Sequence, residues 1–203
     1  MSAWNLTRLQ RALRERAEAV DVLVHAALSP ATPAGYRQWL CDLYGFIEPF
    51  ERRFAFTHQL DIWFIEQRIK SGRLSADLLA LGLTRDEFAR LSHAPAIPEF
   101  THPLDALGWL LVVERLTLQL AGIRRRLQPA LGRELATAGS FVAVYDGATD
   151  AMWSGLGRMV DRWVASEADL QQVQTAAFAG LDALESWLDA NGVVVEASHM
   201  WSA

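Results

Sequence analysis

The 203-residue chain predicts a single all-α domain, on three observations. Apolar residues recur at three- and four-residue intervals over most of its length, the period of a helix face. Proline, glycine and capping residues punctuate these stretches at helical lengths. Strand-like alternation never persists beyond a few residues, and "GVVVEAS", starting at Gly192, is too isolated to build a sheet.

The first element is expected over residues 6–28, where Leu6, Leu9, Leu13, Ala17, Val20 and Val24 form the stripe and Asp21 and His25 are set into it one turn apart. Pro30 and Pro33 end that stretch. A second helix opens with Thr32 as N-cap and Pro33 in its first turn. Its face is Tyr36, Leu40, Leu43 and Ile47, and Pro49 is expected to end or kink it. Residues 59–91 read as short helical pieces broken at Gly72 and Gly82, with a capping box from Thr84 to Glu87. "SHAPAIPEFTHP" reads as a loop. The longest apolar helix follows over about 104–126, closed by Arg124, Arg125 and Arg126 at its C-terminus, with Pro129 and Gly132 marking a break or kink. Two amphipathic helices then run to about Trp187, and Gly192 is a stop. The expected organisation is a helical domain over 1–190 and a tail over 191–203.

Composition narrows the function classes. Half of the residues are hydrophobic, enough for a packed core, and a net charge of −5 gives no electrostatic case for nucleic acid. Cys41 has no cysteine partner and no leader-like opening is evident, which suggests a reducing, cytoplasmic setting. The apolar run from Leu104 is interrupted by Asp105, Glu114 and Arg115, so it reads as a buried core helix rather than a membrane span. Phosphate-binding glycine loops, paired-cysteine metal patterns and His-Glu-x-x-His are all missing.

Seven segments in order resemble the bacterial, biliverdin-producing heme oxygenases: "LRERAEAVD", "TPAGYRQWLCDLYGFIEPFE", "SADLLALGL", "HAPAIP", "LGWLLVVE", "FVAVYDGATDAMW" and "FAGLDALESWL". The resemblance implies a helical fold that grips heme between a proximal and a distal helix, and an external reductase if the chain is active. Three departures accompany it. The position of the family's iron-ligating histidine, counted from Leu13 and Arg14, holds Asp21. The family's distal Gly-Ser-x-Leu-Gly-Gly is here Arg115, Leu116, Thr117, Leu118, Gln119 and Leu120, so side chains stand where the backbone would approach the porphyrin. Tyr145 matches the family's tyrosine but is followed by Asp146 and then Gly147.

The residues expected around the cleft are therefore Asp21, His25, Arg115, Thr117, Gln119, Leu120 and Tyr145. Asp21 is expected to pair with Arg115 across the former heme slot, or with His25 on its own helix. His25 reads either as a relocated iron ligand or as a hydrogen-bonded, half-buried histidine. The three arginines read as an anion grip or as a solvated helix end. Tyr36, Tyr44, Tyr145, Trp39, Trp109, Trp153 and Cys41 read as core, and His58, His93 and His102 lack metal-site spacing. Heme is a doubtful cofactor on this reading. Three functions stay open: a degenerate relative whose cleft takes another small molecule, such as a linear tetrapyrrole or another anion; an active heme oxygenase ligated through His25; and an interaction module with a closed cleft.

Overall fold

The first helix, α1 (Trp4–Ala26), buries Leu6, Leu9, Leu13, Ala17, Val20 and Val24, the stripe read from the sequence. The computed structural model describes residues 4–192. Within that range the chain is all-α and forms one compact domain, with seven further helices after α1: α2 (Pro33–Ala55), α3 (Ile62–Glu66), α4 (Ser71–Ala80), α5 (Arg85–Phe88), α6 (Pro103–Ala138), α7 (Thr149–Trp163) and α8 (Glu167–Ala190). "GVVVEAS" falls almost wholly outside the described residues.

Local rules explain most helix starts. The Thr32 hydroxyl accepts the Gly35 amide at 3.0 Å, and Thr84 and Glu87 close the expected capping box on α5. Ser166 and Asp169 form a second capping box on α8, and His102 Nδ1 accepts the Leu104 amide at the start of α6. Gly82 follows α4 in the left-handed region, at φ +84°.

Three expectations are corrected. Pro49 neither ends nor interrupts α2, which continues to Ala55. Proline leaves the carbonyl four residues earlier without its helical donor, and the Ala94 amide fills that role by donating to Gly45 O at 2.8 Å. A Cβ on Gly45 would stand 2.5 Å from Ser92 O and 2.6 Å from Trp187 Cζ2, so glycine is what lets the loop reach that carbonyl. Gly72 is not a break either, since it lies in the first turn of α4. Finally, α6 runs past Arg124–126 to Ala138, and its non-helical residue is Leu131 (φ −125°, ψ 26°), between Pro129 and Gly132. Two of the three arginines serve neighbours instead: Arg126 Nη2 donates to His25 O at the end of α1 (3.4 Å), and Arg124 pairs with Asp146 at 2.5 Å.

The core centres on α6. Leu107, Leu110, Val113 and Leu120 are almost wholly inaccessible, as are Tyr36, Trp39, Leu40, Leu43 and Ile47 of α2. α6 and α8 approach closely, because a Cβ on Gly108 would meet Val173 O at 2.5 Å and Ala176 Cβ at 2.6 Å. Cross-helix contacts ascend together along α1, α6 and α8, so these three run in the same sense. The pairs Arg8–Glu167 and Arg16–Asp182 tie α1 to α8, and Asp105–Gln172 ties α6 to α8. α2 runs against α6, with Tyr36 donating to Ala138 O at 2.8 Å near one end and Phe46 stacked on Trp109 near the other. By length and composition α6 could span a membrane, but 72% of its most apolar window is buried inside the protein.

Candidate functional site

The helical period puts Asp21 and His25 on one face of α1, and Arg115 and Gln119 on one face of α6. The parallel run of the two helices sets these pairs opposite each other. Arg115 Nη2 donates to Asp21 Oδ2 at 2.6 Å, and Gln119 Nε2 donates to Asp21 Oδ1 at 2.5 Å. His25 Nε2 stands 2.7 Å from Gln119 Oε1. The four side chains thus form one hydrogen-bonded chain, Arg115–Asp21–Gln119–His25, across the seam between α1 and α6.

The order of this chain fixes proton positions. With the Gln119 amide nitrogen turned to the carboxylate, its oxygen is left facing the imidazole. His25 therefore carries a proton on Nε2 and donates it to Gln119. Asp21 and Arg115 keep 24% and 30% side-chain exposure, so the pair is sheltered but not sealed. Charges held in partial shelter need partners; here the two charges pair through Arg115 Nη2, while the buried Arg115 Nε has no acceptor among the described residues. Arg115, Leu111, Leu13 and Ala17 also border a cavity of about 20 Å³, the size of a single water.

The other expected residues point elsewhere. Thr117 is buried and donates its hydroxyl to Val113 O within its own helix at 2.8 Å, and Leu120 is core. Tyr145 belongs to a second, deeper constellation that sequence reasoning largely missed. Its hydroxyl donates to Glu114 Oε1 at 3.0 Å, and Lys70 Nζ donates to the same oxygen at 2.8 Å. Lys70 and Glu114 are sealed from solvent, with side-chain exposures of 0% and 2%. Lys70 Nζ also donates to Arg68 O, while the Lys70 and Ser71 amides donate to the two carboxylate oxygens of Glu51. Burial pushes Glu51 above the usual carboxylate range. Burial first, and then the Glu114 carboxylate, push the Tyr145 phenol far above its ordinary value. This centre joins α2, the α3–α4 connection, α6 and the segment after α6, and it is an internal brace for the fold. One signal was legible: Glu114 closes the apolar run "LGWLLVVE", where a charge with no obvious partner implies a buried cation nearby.

Of the aromatic residues read as core, Trp39 and Trp109 are buried and Trp153 packs partly against the core. Cys41 is half-buried, and burial raises its thiol to about 11. His93 Nε2 lies 3.8 Å from Glu48 Oε2. No protein-family model matches the chain, and no curated protein resembles it significantly.

Proposed function

We propose that this chain is a helical relative of the heme oxygenases in which the slot between α1 and α6 has become a packed polar seam, leaving a binding role in place of normal heme turnover. The observation that carries this reading is the Arg115–Asp21–Gln119–His25 chain. The residues on this face match a heme poorly. The carboxylate at the axial position is already neutralised by Arg115, and His25 Nε2 is committed to Gln119. A carboxylate is in any case a hard anionic ligand, unsuited to ferrous oxygen chemistry. The 20 Å³ beside Arg115 compares with roughly 300–1,000 Å³ for small-molecule pockets. A heme bound between these helices would have to part the seam and unpair Arg115. A cytoplasmic location, with a small organic molecule as the partner, goes with this reading.

Reversal tests it. Asp21→His, Arg115→Gly and Gln119→Gly together, with Leu120→Gly added in a second graft, restore the family's residues at the seam. A folded graft is expected to gain saturable hemin binding with a histidine-ligated Soret spectrum. Folded grafts that gain none would mean that α1 and α6 do not frame a heme slot, and the resemblance would fall with it.

A further inference from the structure

A groove of about 380 Å³ lies between α3 and α7, away from the α1–α6 seam. Three guanidinium groups line it, Arg68, Arg158 and Arg162, against one carboxylate, Asp61. Asp61 is already engaged, because its Oδ1 accepts the Trp63 and Phe64 amides at the start of α3. Arg158 and Arg162 are exposed and have no ion-pair partner among the described residues. The floor and walls supply an apolar surface from Phe64, Met152 and Met159.

Arg68 sets this groove apart from an ordinary basic surface. Its side chain is buried, with 2% of the residue accessible, yet among the described residues no carboxylate lies within ion-pair distance of it. Its Nη1 and Nη2 donate only to the carbonyls of Phe64 and Met152, at 3.2 and 3.0 Å, and its Nε has no acceptor. The guanidinium carbon stands 3.9 Å above the Phe64 ring. Gly155 allows α7 to lie this close, since a Cβ there would be 3.2 Å from Arg68 Nη2. Burial lowers the affinity of Arg68 for its proton; the Glu114 carboxylate opposes that shift, and the neighbouring Arg158 charge adds to it. Glu114 acts on Arg68 only from beyond contact and is itself engaged by Lys70 and Tyr145, so an anion arriving in the groove supplies the close counter-charge that a buried cation favours.

We propose that the α3–α7 groove is a binding site for a small amphipathic organic anion. Its carboxylate or phosphate group would be held by Arg158 and Arg162 in the field of Arg68, with its apolar body against Phe64, Met152 and Met159. Guanidinium forks suit such oxyanions because they donate two parallel hydrogen bonds to them. The volume falls within the range of small-molecule sites. The proposal does not rest on the state of the α1–α6 seam, and hemin ligation through His25 would leave it intact.

The test is a fluorescence titration of the full chain with anilinonaphthalene sulfonate, competed by decyl phosphate or by decanol below their aggregation limits. The expected result is saturable binding to one site, displaced by decyl phosphate and not by decanol. Arg158→Gln with Arg162→Gln should weaken it by about tenfold or more, as should Met159→Glu. Arg11→Gln with Arg14→Gln, on the exposed face of α1, should leave it unchanged, and far-UV circular dichroism confirms that each variant is folded. Equal binding by all variants, displacement by decanol as strong as by decyl phosphate, or no saturable binding would overturn the proposal. Binding confined to phosphatidylglycerol vesicles, with free decyl phosphate inert, would overturn it in favour of an acidic lipid surface.

Discussion

Removing Asp21 breaks the α1–α6 seam at its centre, because that carboxylate accepts from both Arg115 and Gln119, at 2.6 and 2.5 Å. A hydrogen bond to a charged group contributes about 1.5–3 kcal/mol net. Side-chain exposures of 24% and 30% argue for the lower end, since solvent still screens the pair. Asp21→Ala should therefore cost about 2–3 kcal/mol, and Arg115→Met about 1–2 kcal/mol. In a domain of this size, 1 kcal/mol moves the melting temperature by roughly 2–4 °C, so Asp21→Ala should lower it by about 4–12 °C. The decisive quantity is the coupling in a double-mutant cycle measured by urea unfolding. Losing Arg115 after Asp21 should cost less than losing it first, with a coupling of about 1–2 kcal/mol. A coupling below about 0.3 kcal/mol, within the additivity expected of independent sites, would mean that the two side chains do not hold the helices together.

Four further outcomes follow from the packing and the buried charges. Gly108→Ala should destabilise by about 3 kcal/mol or more, because the new Cβ would stand 2.5 Å from Val173 O; Gly122→Ala on the same helix, where nothing lies within 4 Å, should stabilise by about 0.5–1 kcal/mol. Both are read from chemical-denaturation midpoints, and equal effects would refute the close α6–α8 approach. Lys70→Met should cost about 3–5 kcal/mol by stranding Glu114, and adding Glu114→Gln should return part of that loss. All three tyrosines are held above their ordinary value, in each case by burial first. Their raised values stabilise the fold fully below about pH 10, where unfolded tyrosine begins to ionise. That contribution is lost as pH rises, so phenolate absorbance should appear together with the loss of helical signal; an earlier phenolate signal would contradict the burial. Cys41, half-buried and raised to about 11, should react with a thiol reagent at pH 8 far more slowly than the same thiol in denaturant.

What could be read from the sequence was local or periodic. The stripe of α1, the Thr32 cap and the Thr84–Glu87 box depend on residues a few positions apart, and all three are present. The Asp21–Arg115 pair could be anticipated because sheltered charges need a partner and the family resemblance sets the two residues across one slot, but the Gln119 link to His25 needed the register of α1 against α6. The misreadings of Pro49 and of the arginine run share a cause, a distant residue answering a local signal, and the same distance hid Lys70. Pro49 reads as a stop until Ala94 supplies the missing donor to Gly45. Arg124–126 read as a helix end, whereas Arg126 reaches the end of α1 and Arg124 reaches Asp146. Lys70 sits in the polar stretch "RIKSGR", where a lysine is normally exposed, and its Glu114 partner lies far along the chain.

A hemin titration of the unaltered protein, followed at the Soret band and repeated with His25→Ala, tests most directly whether the α1–α6 seam is closed to heme. A closed seam gives no saturable ligand-field spectrum that depends on His25 up to tens of micromolar hemin. A sharp, saturable band that His25→Ala abolishes would show that the seam opens, that His25 leaves Gln119 for iron, and that heme chemistry survives in this fold.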